Sequence, residues 1–256
     1  MGILEGKRIL VTGLTAESSI AFHITRIAQA EGAQVVVSNY GRAMKVAERA
    51  IQRLDVVPEL IELDVTNEEH LESLKDTLKE KLGGLDGVVH SIAYSNPRKT
   101  MGGAFLTSDW DDVAVAFQVS SYSLVALTRA CQPIMGPGSS VVGLTFDGSV
   151  SWPAYDWMGV AKSALEAISR YVSRYMGQFG IRSNLVAAGP VNTLSKKSIP
   201  GMESFDAQWQ QVAPLGWNPD DHEPPAKAVV ALLSDWFPKT TGDIIYVDGG
   251  MHATGA

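Results

Sequence analysis

The chain has 256 residues, 45% of them hydrophobic and 19% charged, and its formal net charge is −7. This composition is typical of a packed globular protein and excludes an intrinsically disordered chain. The negative charge, without a long run of Lys or Arg, argues against a nucleic-acid partner. The single cysteine, Cys131, excludes an intrachain disulfide and a multi-cysteine metal site.

Signals for targeting and for metal binding are also missing. Glu5 interrupts the N-terminal segment before an apolar signal region can form, and no continuous apolar run reaches the ~18 residues that span a bilayer. The histidines, which are His23, His70, His90, His222 and His252, show no metal-ligand spacing. We therefore expect a cytoplasmic protein with no metal site and no membrane insertion.

Short apolar segments alternate with helical patterns through the first half of the chain. The predicted strands are Arg8–Thr12, Ala33–Val37, Glu59–Leu63 and Leu85–His90. The predicted helices are Ser18–Glu31, Ala43–Leu54 and a third that begins after Asn67 as N-cap and ends at Gly83-Gly84.

The alternation continues in the second half. One or two helices are predicted in Ser108–Cys131, and a turn at Pro137-Gly138 leads into strand Ser140–Leu144. The remaining elements are helix Ala154–Phe179, strand Arg182–Ala187, helix Pro225–Asp235 and strand Ile244–Val247. The stretch Gly189–Pro219 is predicted to be irregular, and so long a loop in a compact domain is usually functional.

Seven apolar strands that alternate with helices require right-handed crossovers and a parallel sheet covered on both faces. The chain has no repeat, low-complexity tract or linker-like segment. The sequence therefore predicts an α/β fold, a single-domain doubly wound (Rossmann-type) sheet over residues 1–256. In such a sheet, ligands bind at the carboxyl ends of the strands.

The first strand–helix turn meets the physical needs of a dinucleotide site without the G-x-G-x-x-G pattern. Gly13 allows a tight turn, and Ser18 and Ser19 place hydroxyls and backbone N–H groups where a pyrophosphate binds. The alternative is that Ser18 only caps the helix.

Side chains at three further strand ends are predicted to meet at the same edge. Tyr40 is placed to cover an adenine ring, and Arg42 to stack there or to pair with a 2′-phosphate. Asp64, followed by Val65, is placed to accept from the adenine amino group or to cap the next helix. The small residues of Ser91-Ile92-Ala93 allow close approach of a cofactor.

With these features the sequence resembles the NADH-dependent enoyl-acyl-carrier-protein reductases, in the divergent branch of the short-chain dehydrogenase/reductase superfamily. It is most similar to the branch that elongates long acyl chains for mycolic-type lipids. The matching segments are G-x5-S-x-A at Gly13, Ser19 and Ala21, LDV at Leu63–Val65, LDGVVHSIA at Leu85–Ala93, PAYDWMGVAKSALE at Pro153–Glu166, RSNLVAAGPVNTL at Arg182–Leu194 and TGDIIYVDGG at Thr241–Gly250.

The resemblance implies that Tyr155 and Lys162 are catalytic, in the family pattern Y-x6-K. Residues seven apart lie about two turns, or ~10.5 Å, apart along a helix and can address two different groups. The Y-x3-K pattern of most short-chain dehydrogenases is absent, because Gly159 occupies that position. Phe146 matches the family aromatic beside the nicotinamide, with ordinary core packing as its alternative role.

The resemblance also assigns cofactor contacts to Gly13, Ser19, Ile20, Tyr40, Asp64, Val65, Ser91, Ile92, Ala93, Lys162, Pro190, Val191 and Thr193. Two positions depart from the family pattern. Ala93 stands where Gly is usual and adds a methyl group beside the cofactor. Asn192 stands where Arg is common, so it lacks that charge.

The activity implied is reduction of an enoyl thioester, carried by acyl-carrier protein or coenzyme A, with NADH and in a homotetramer. Segment 193–217 is implied to be the substrate-binding loop, and its shortness favours medium acyl chains. Residues proposed to line the acyl pocket are Phe146, Trp152, Met158, Leu194, Ile199, Met202 and Phe205. Lys196 and Lys197 either guide the acidic carrier protein or are an ordinary solvated pair.

Two other functions stay open from the sequence alone. One is a carbonyl reductase that acts on 3-ketoacyl substrates, which the missing Y-x3-K pattern disfavours. The other is a non-catalytic dinucleotide-sensing protein, which would not need both Tyr155 and Lys162.

Overall fold

The strands of the computed structural model, which describes residues 1–199, 201 and 203–254, all belong to one sheet. They are β1 (Arg8–Thr12), β2 (Gln34–Asn39), β3 (Glu59–Glu62), β4 (Leu85–His90), β5 (Met135–Thr145), β6 (Arg182–Ala188) and β7 (Ile244–Val247). Within the described residues the sheet has seven strands, all parallel, in the order β3-β2-β1-β4-β5-β6-β7. The predicted doubly wound α/β fold is confirmed.

Helices connect consecutive strands. They are α1 (Ile20–Ala30), α2 (Met44–Ile51), α3 (Glu68–Leu82), α4 (Pro97–Thr100), α5 (Trp110–Phe117), α6 (Ser123–Cys131), α7 (Asp156–Met176), α8 (Leu194–Lys197), α9 (Glu203–Val212) and α10 (Glu223–Leu233). Asn67 caps α3 as predicted, since its side chain accepts from the N–H groups of Glu69 and His70.

The core has one layer on each face of the sheet, because side chains along a strand alternate between faces. Val11 of β1 packs with apolar residues of α1, α2 and α10. Its neighbour Leu10 packs on the opposite face with residues of α3, α6 and α7. Burial on both faces explains why the strands are continuously apolar rather than alternating.

Two predicted segments differ from the structure. Gly189–Pro219 is not irregular, because α8 and α9 lie within it. Strand β5 begins at Met135 rather than Ser140, so Pro137-Gly138 lies inside an extended segment. The pairing register of β4 and β5 shifts there, and Gly138 has a φ of +90°; the turn residues therefore form an irregularity within the strand.

The helical run Trp110–Ile134 contains a π-helical segment, Gln118–Tyr122, between α5 and α6. By length and composition alone this run qualifies as a candidate membrane span, which the sequence analysis did not anticipate. Its candidate window is 56% buried inside the protein, and Leu124 and Leu127 are fully buried against the sheet. Such burial is typical of a core helix of a folded domain.

Candidate active site

A cleft of about 420 Å³ lies at the carboxyl ends of the strands, on both sides of the switch between β1 and β4. This volume is typical of a small-molecule site. All the predicted cofactor residues line it, namely Gly13, Ser19, Ile20, Tyr40, Asp64, Val65, Ser91, Ile92, Ala93, Lys162, Pro190, Val191 and Thr193. Phe146 and Tyr155 line the same cleft. The structure thus brings together residues that are far apart in sequence.

One end of the cleft is formed by the turn from β1 into α1. Gly13 has a φ of +75°, and a Cβ there would stand 2.0 Å from the carbonyl oxygen of Ser91. The crossing backbones therefore require glycine at this position. Ser19, rather than Ser18, caps α1 by accepting from the N–H of Phe22 at 3.3 Å. The proposed Ser18 cap is thus wrong, and the helix N-terminus opens onto the cleft.

The adjacent part of the cleft is bounded by Tyr40 and Asp64. One carboxylate oxygen of Asp64 accepts from the backbone N–H and the hydroxyl of Thr66, at 2.9 and 2.7 Å. Asp64 does not cap α3, because Asn67 has that role. Arg42 is exposed and is not part of the cleft wall.

Tyr155 and Lys162 lie at the opposite end, on the first turns of α7. Lys162 is 6% exposed, and its ammonium group donates to the carbonyl oxygen of Leu144 at 2.9 Å. Burial lowers the pKa of Lys162 to about 8, although Glu166 favours its charged form. Burial also raises the pKa of the Tyr155 phenol. Among the described residues, none forms a hydrogen bond with the Tyr155 hydroxyl, which leaves that hydroxyl available to a ligand.

The backbone around Tyr155 is strained and is held by a neighbouring loop. Ala154 and Asp156 have φ values of +59° and +42°, which residues other than glycine rarely adopt. The Asp156 carboxylate accepts from the N–H groups of Gly103 and Ala104 at 2.7 and 3.0 Å. This function of Asp156 is not evident from the sequence, because an acidic residue at the start of a helix is explained by the helix dipole alone.

Glu166 is a second buried group that sequence analysis missed. Its carboxylate accepts from the N–H of Gly148 at 2.9 Å and from the hydroxyl of Thr145 at 3.3 Å. Burial raises the pKa of this carboxyl group, and the two hydrogen bonds partly oppose the shift. Glu166 thereby fixes the segment after β5, which carries Phe146, against α7.

Phe146 both lines the cleft and packs in an aromatic cluster, so its two proposed roles are compatible. Its ring centroid lies 5.2 Å from that of Tyr155, which also lines the cleft. The ring centroids of Trp152, Phe205 and Trp209 lie 5.3, 6.0 and 5.7 Å from that of Phe146. We call these three residues the aromatic block.

The acyl-pocket prediction is only partly correct. Phe146 and Ile199 line the cleft, whereas Trp152, Met158 and Phe205 pack behind its wall and Leu194 is half exposed. Met202 lies outside the described residues. The sequence predicts Trp152 and Phe205 as pocket lining, because apolar side chains near a site do not reveal which of them pack on each other.

The Lys196–Lys197 pair is divided between the interior and the surface. Lys196 is 8% exposed and lines the cleft. It forms an ion pair with Asp206 of α9 and donates to the Asn192 side chain at 2.9 Å. Of the two lysines only Lys197 is exposed. The prediction of a solvent-exposed basic pair is therefore wrong for Lys196.

Two further titratable side chains, His90 and Cys131, are fully buried. His90 bonds to the Ser123 hydroxyl at 2.7 Å, and burial lowers its pKa to about 3. Burial raises the pKa of Cys131 to about 12, which agrees with a core thiol. In the part of the chain that the structure describes, no group of three or more His, Cys, Asp or Glu side chains could hold a metal ion.

Comparison with known proteins gives one consistent result. A family model described as enoyl-(acyl carrier protein) reductase matches residues 13–252. The enoyl-[acyl-carrier-protein] reductase [NADH] of Mycolicibacterium smegmatis is 48% identical over 263 aligned positions that cover 97% of each chain. The Mycobacterium avium protein of the same name is 48% identical over 97% of each chain. The FabI reductase of Aquifex aeolicus is 37% identical over all of this chain and 94% of its own.

The matched region begins at Gly13, directly after β1, and ends beyond β7. It therefore includes the carboxyl ends of all the described strands except β1. The sheet order, the cleft and the family match therefore agree, and the chain belongs to the enoyl-(acyl carrier protein) reductase family.

Proposed function

We propose that the protein reduces the trans-2 double bond of enoyl thioesters, carried by acyl-carrier protein or by coenzyme A, with NADH in fatty-acid elongation. The observation that carries the proposal is the joint burial of Tyr155 and Lys162 on one cleft, beside Phe146. The printed names of the relatives, which specify enoyl-acyl-carrier-protein reductases that use NADH, support the same reaction and cofactor.

The cleft fits a dinucleotide along its length. The open N-terminus of α1 beside Gly13 suits a pyrophosphate, and Tyr40 and Asp64 flank a pocket for the adenine ring. Ser91, Ile92 and Ala93 line the cleft directly after β4. Pro190, Val191 and Thr193 face the nicotinamide end. When bound, NADH supplies the hydride that is added to C3 of the enoyl group.

The chain's own residues handle the charge that this addition creates. As C3 gains the hydride, negative charge develops on the thioester oxygen, and the Tyr155 hydroxyl donates a hydrogen bond to that oxygen in a site sheltered from water. Lys162 binds the nicotinamide ribose hydroxyls. A proton then adds to C2, either from Tyr155 or from a water relay, and the products are the saturated thioester and NAD⁺.

The test is NADH oxidation followed with enoyl-CoA substrates, with a 3-ketoacyl-CoA as the comparison substrate. We expect turnover of the enoyl substrates and none of the ketoacyl substrate. Turnover of only the ketoacyl substrate would identify a carbonyl reductase, and NADH binding without any turnover would identify a non-catalytic sensor.

A homotetramer and a cytoplasmic location are part of the proposal. An apolar groove of about 540 Å³ lies between α6 and α7, flanked by Tyr171 and Tyr175, which are 66% and 61% exposed. Exposed aromatic residues around a groove are typical of an association surface. Light scattering at micromolar concentration tests the assembly, and a monomeric mass would contradict it. The cytoplasmic location is proposed from the reaction that the names of the relatives specify, reduction of acyl-carrier-protein thioesters with NADH.

A further inference from the structure

The segment at the end of β5 is bound to α7 by side chains of that helix. Lys162 donates to the carbonyl oxygen of Leu144 at 2.9 Å. Glu166 lies four residues later, on the same face of α7. Its carboxylate accepts from the N–H of Gly148 at 2.9 Å and from the hydroxyl of Thr145 at 3.3 Å. The two side chains therefore hold the same short stretch of chain.

Ser163 completes this contact at Gly148. Its hydroxyl donates to the Gly148 carbonyl oxygen at 2.6 Å, so side chains of α7 bind both backbone groups of Gly148. A Cβ on Gly148 would stand 2.7 Å from the backbone nitrogen of Ser163, which means that the segment lies directly on the helix backbone. We call Ser163 and Glu166 the Gly148 clamp.

The clamped segment carries Phe146, which lines the cleft. The ring of Phe146 lies 5.2 Å from that of Tyr155, centroid to centroid, and packs with the aromatic block. A displacement of the segment would therefore move part of the cleft wall beside the proposed donor. A misplacement of about 1 Å can cost on the order of a hundredfold in rate, so the contacts of the clamp affect turnover.

Glu166 also acts on the charge of Lys162. Burial lowers the pKa of Lys162 to about 8, and the Glu166 carboxylate opposes that shift. Both hydrogen bonds to this carboxylate come from donors, which suits its ionised form. Burial raises the pKa of Glu166, an effect to which Asp147 adds and which Arg170 opposes.

Two further titratable groups face this pair from the sheet. Tyr246 of β7 interacts with Glu166, and His90 of β4 interacts with Lys162. Burial raises the pKa of Tyr246 and lowers the pKa of His90 to about 3, so both are neutral near pH 8. Glu166 is therefore the group that opposes the loss of charge at Lys162 in the range where Lys162 titrates.

We propose that Glu166 is a positioning residue, which together with Ser163 fixes the segment that carries Phe146 and which keeps Lys162 charged at the cleft. This inference rests on the proposed function, in which Lys162 binds the nicotinamide ribose. Glu166 is not among the residues that line the cleft, so it acts through Lys162 and the clamped segment rather than on the substrate.

Each part of this role has its own measurable effect. Glu166→Gln keeps an acceptor oxygen for Gly148 and removes the negative charge, so Lys162 should lose its proton at a lower pH. We expect the pH at which NADH affinity falls to decrease by about one pH unit. Ser163→Ala removes the bond to the Gly148 carbonyl oxygen without a change in charge. We expect its kcat to fall on the order of tenfold, with the same pH profile of NADH binding as the wild type.

The experiment titrates NADH by fluorescence on both sides of pH 8 and measures kcat with octenoyl-CoA at the acidic end of that range. Asp147→Asn is the matched control for the loss of a buried negative charge. Asp147 is 9% exposed and lies in the same segment, but its carboxylate accepts from the N–H of Ser149 and not from the clamped backbone groups. We expect this variant to keep the wild-type pH profile of NADH binding.

The outcomes separate the two proposals. A wild type that neither binds NADH nor reduces an enoyl substrate overturns the proposed function. With an active wild type, an unshifted NADH profile in Glu166→Gln overturns the inference about Glu166 alone, and so does an equal shift in Asp147→Asn. Wild-type kcat in Ser163→Ala overturns it as well, even if Glu166→Gln fails to fold.

Discussion

The ammonium group of Lys162 donates a hydrogen bond to the carbonyl oxygen of Leu144 at 2.9 Å, in a buried position where its pKa is lowered to about 8. Its charge is therefore present below pH 8 and lost above it. If Lys162 binds the nicotinamide ribose, the affinity for NADH should fall as the pH rises through about 8. Fluorescence titration of NADH on either side of pH 8 measures this.

The control for this prediction is Lys162→Ala. It should bind NADH more weakly than the wild type at every pH and should show a flat profile over the same range. Normal NADH binding by this variant would refute the ribose role.

Tyr155→Phe should keep the fold and remove the donor to the thioester oxygen. The loss of one such donor costs on the order of 2.7–4 kcal/mol in the activation barrier, or a 10²–10³-fold decrease in kcat. NADH binding should be unchanged, since the phenyl ring keeps its contact with Phe146. Steady-state kinetics with octenoyl-CoA provide the measurement, and activity within about twofold of wild type would exclude Tyr155 as the donor.

Asp156 is predicted to position Tyr155 through the loop that it binds. Asp156→Ala loses both backbone hydrogen bonds, and we expect kcat to fall on the order of tenfold to a hundredfold, because small misplacements of a catalytic group are costly. The KM for NADH should stay constant. Asp156→Asn keeps an acceptor oxygen and should retain most of the activity; equal losses in the two variants would contradict the positioning role.

His90 is predicted to make the fold sensitive to acid. Its pKa is about 3 in the folded protein and 6.5 in the unfolded chain, so the unfolded chain binds more protons between these values. The contribution of His90 to stability is therefore fully present above pH 6.5 and is lost as the pH falls toward 3, by up to about 1.4 kcal/mol per pH unit. Urea denaturation across this window should show a smaller decrease for His90→Gln than for the wild type.

NADH should be preferred over NADPH. Tyr40 lines the cleft, whereas Arg42, the side chain that would pair with a 2′-phosphate, is exposed and is not among the residues that line it. Values of kcat/KM for the two cofactors test the preference, and Arg42→Ala should leave the ratio unchanged. Equal values in the wild type would refute it.

The sequence predicts the frame of the site better than its interior. Positions such as Gly13, Asp64 and Ser91 follow apolar strands, and parallel strands bring their carboxyl ends to one edge, so strand recognition alone assembles the cleft. The interactions of Asp156, Glu166 and Lys196 depend on partners that are brought close only by tertiary packing. Their residue types have ordinary local explanations, such as a helix terminus, a helix surface or a loop charge.

The same reasoning explains the error over Gly189–Pro219. Its Gly and Pro content indicates irregular structure, but the apolar spacing of Phe205, Trp209 and Val212 is helical. The stability of α9 depends on burial of those side chains against Phe146, which lies about sixty positions earlier in the chain.

The π-helical segment Gln118–Tyr122 holds one more residue per turn than the α-helices that flank it. Within it, Val119 faces the cleft, Ser120 bonds both backbone groups of Tyr94, and Ser121 donates to Ala161. If the same five residues were α-helical instead, everything after them would be rotated by about 100° about the helix axis. Leu124 and Leu127 would then turn away from the sheet, and the hydroxyl of Ser123 would leave His90. The π-helical turn therefore sets the phase of α6 relative to α5, so that Val119 lines the cleft while Leu124 and Leu127 remain in the core.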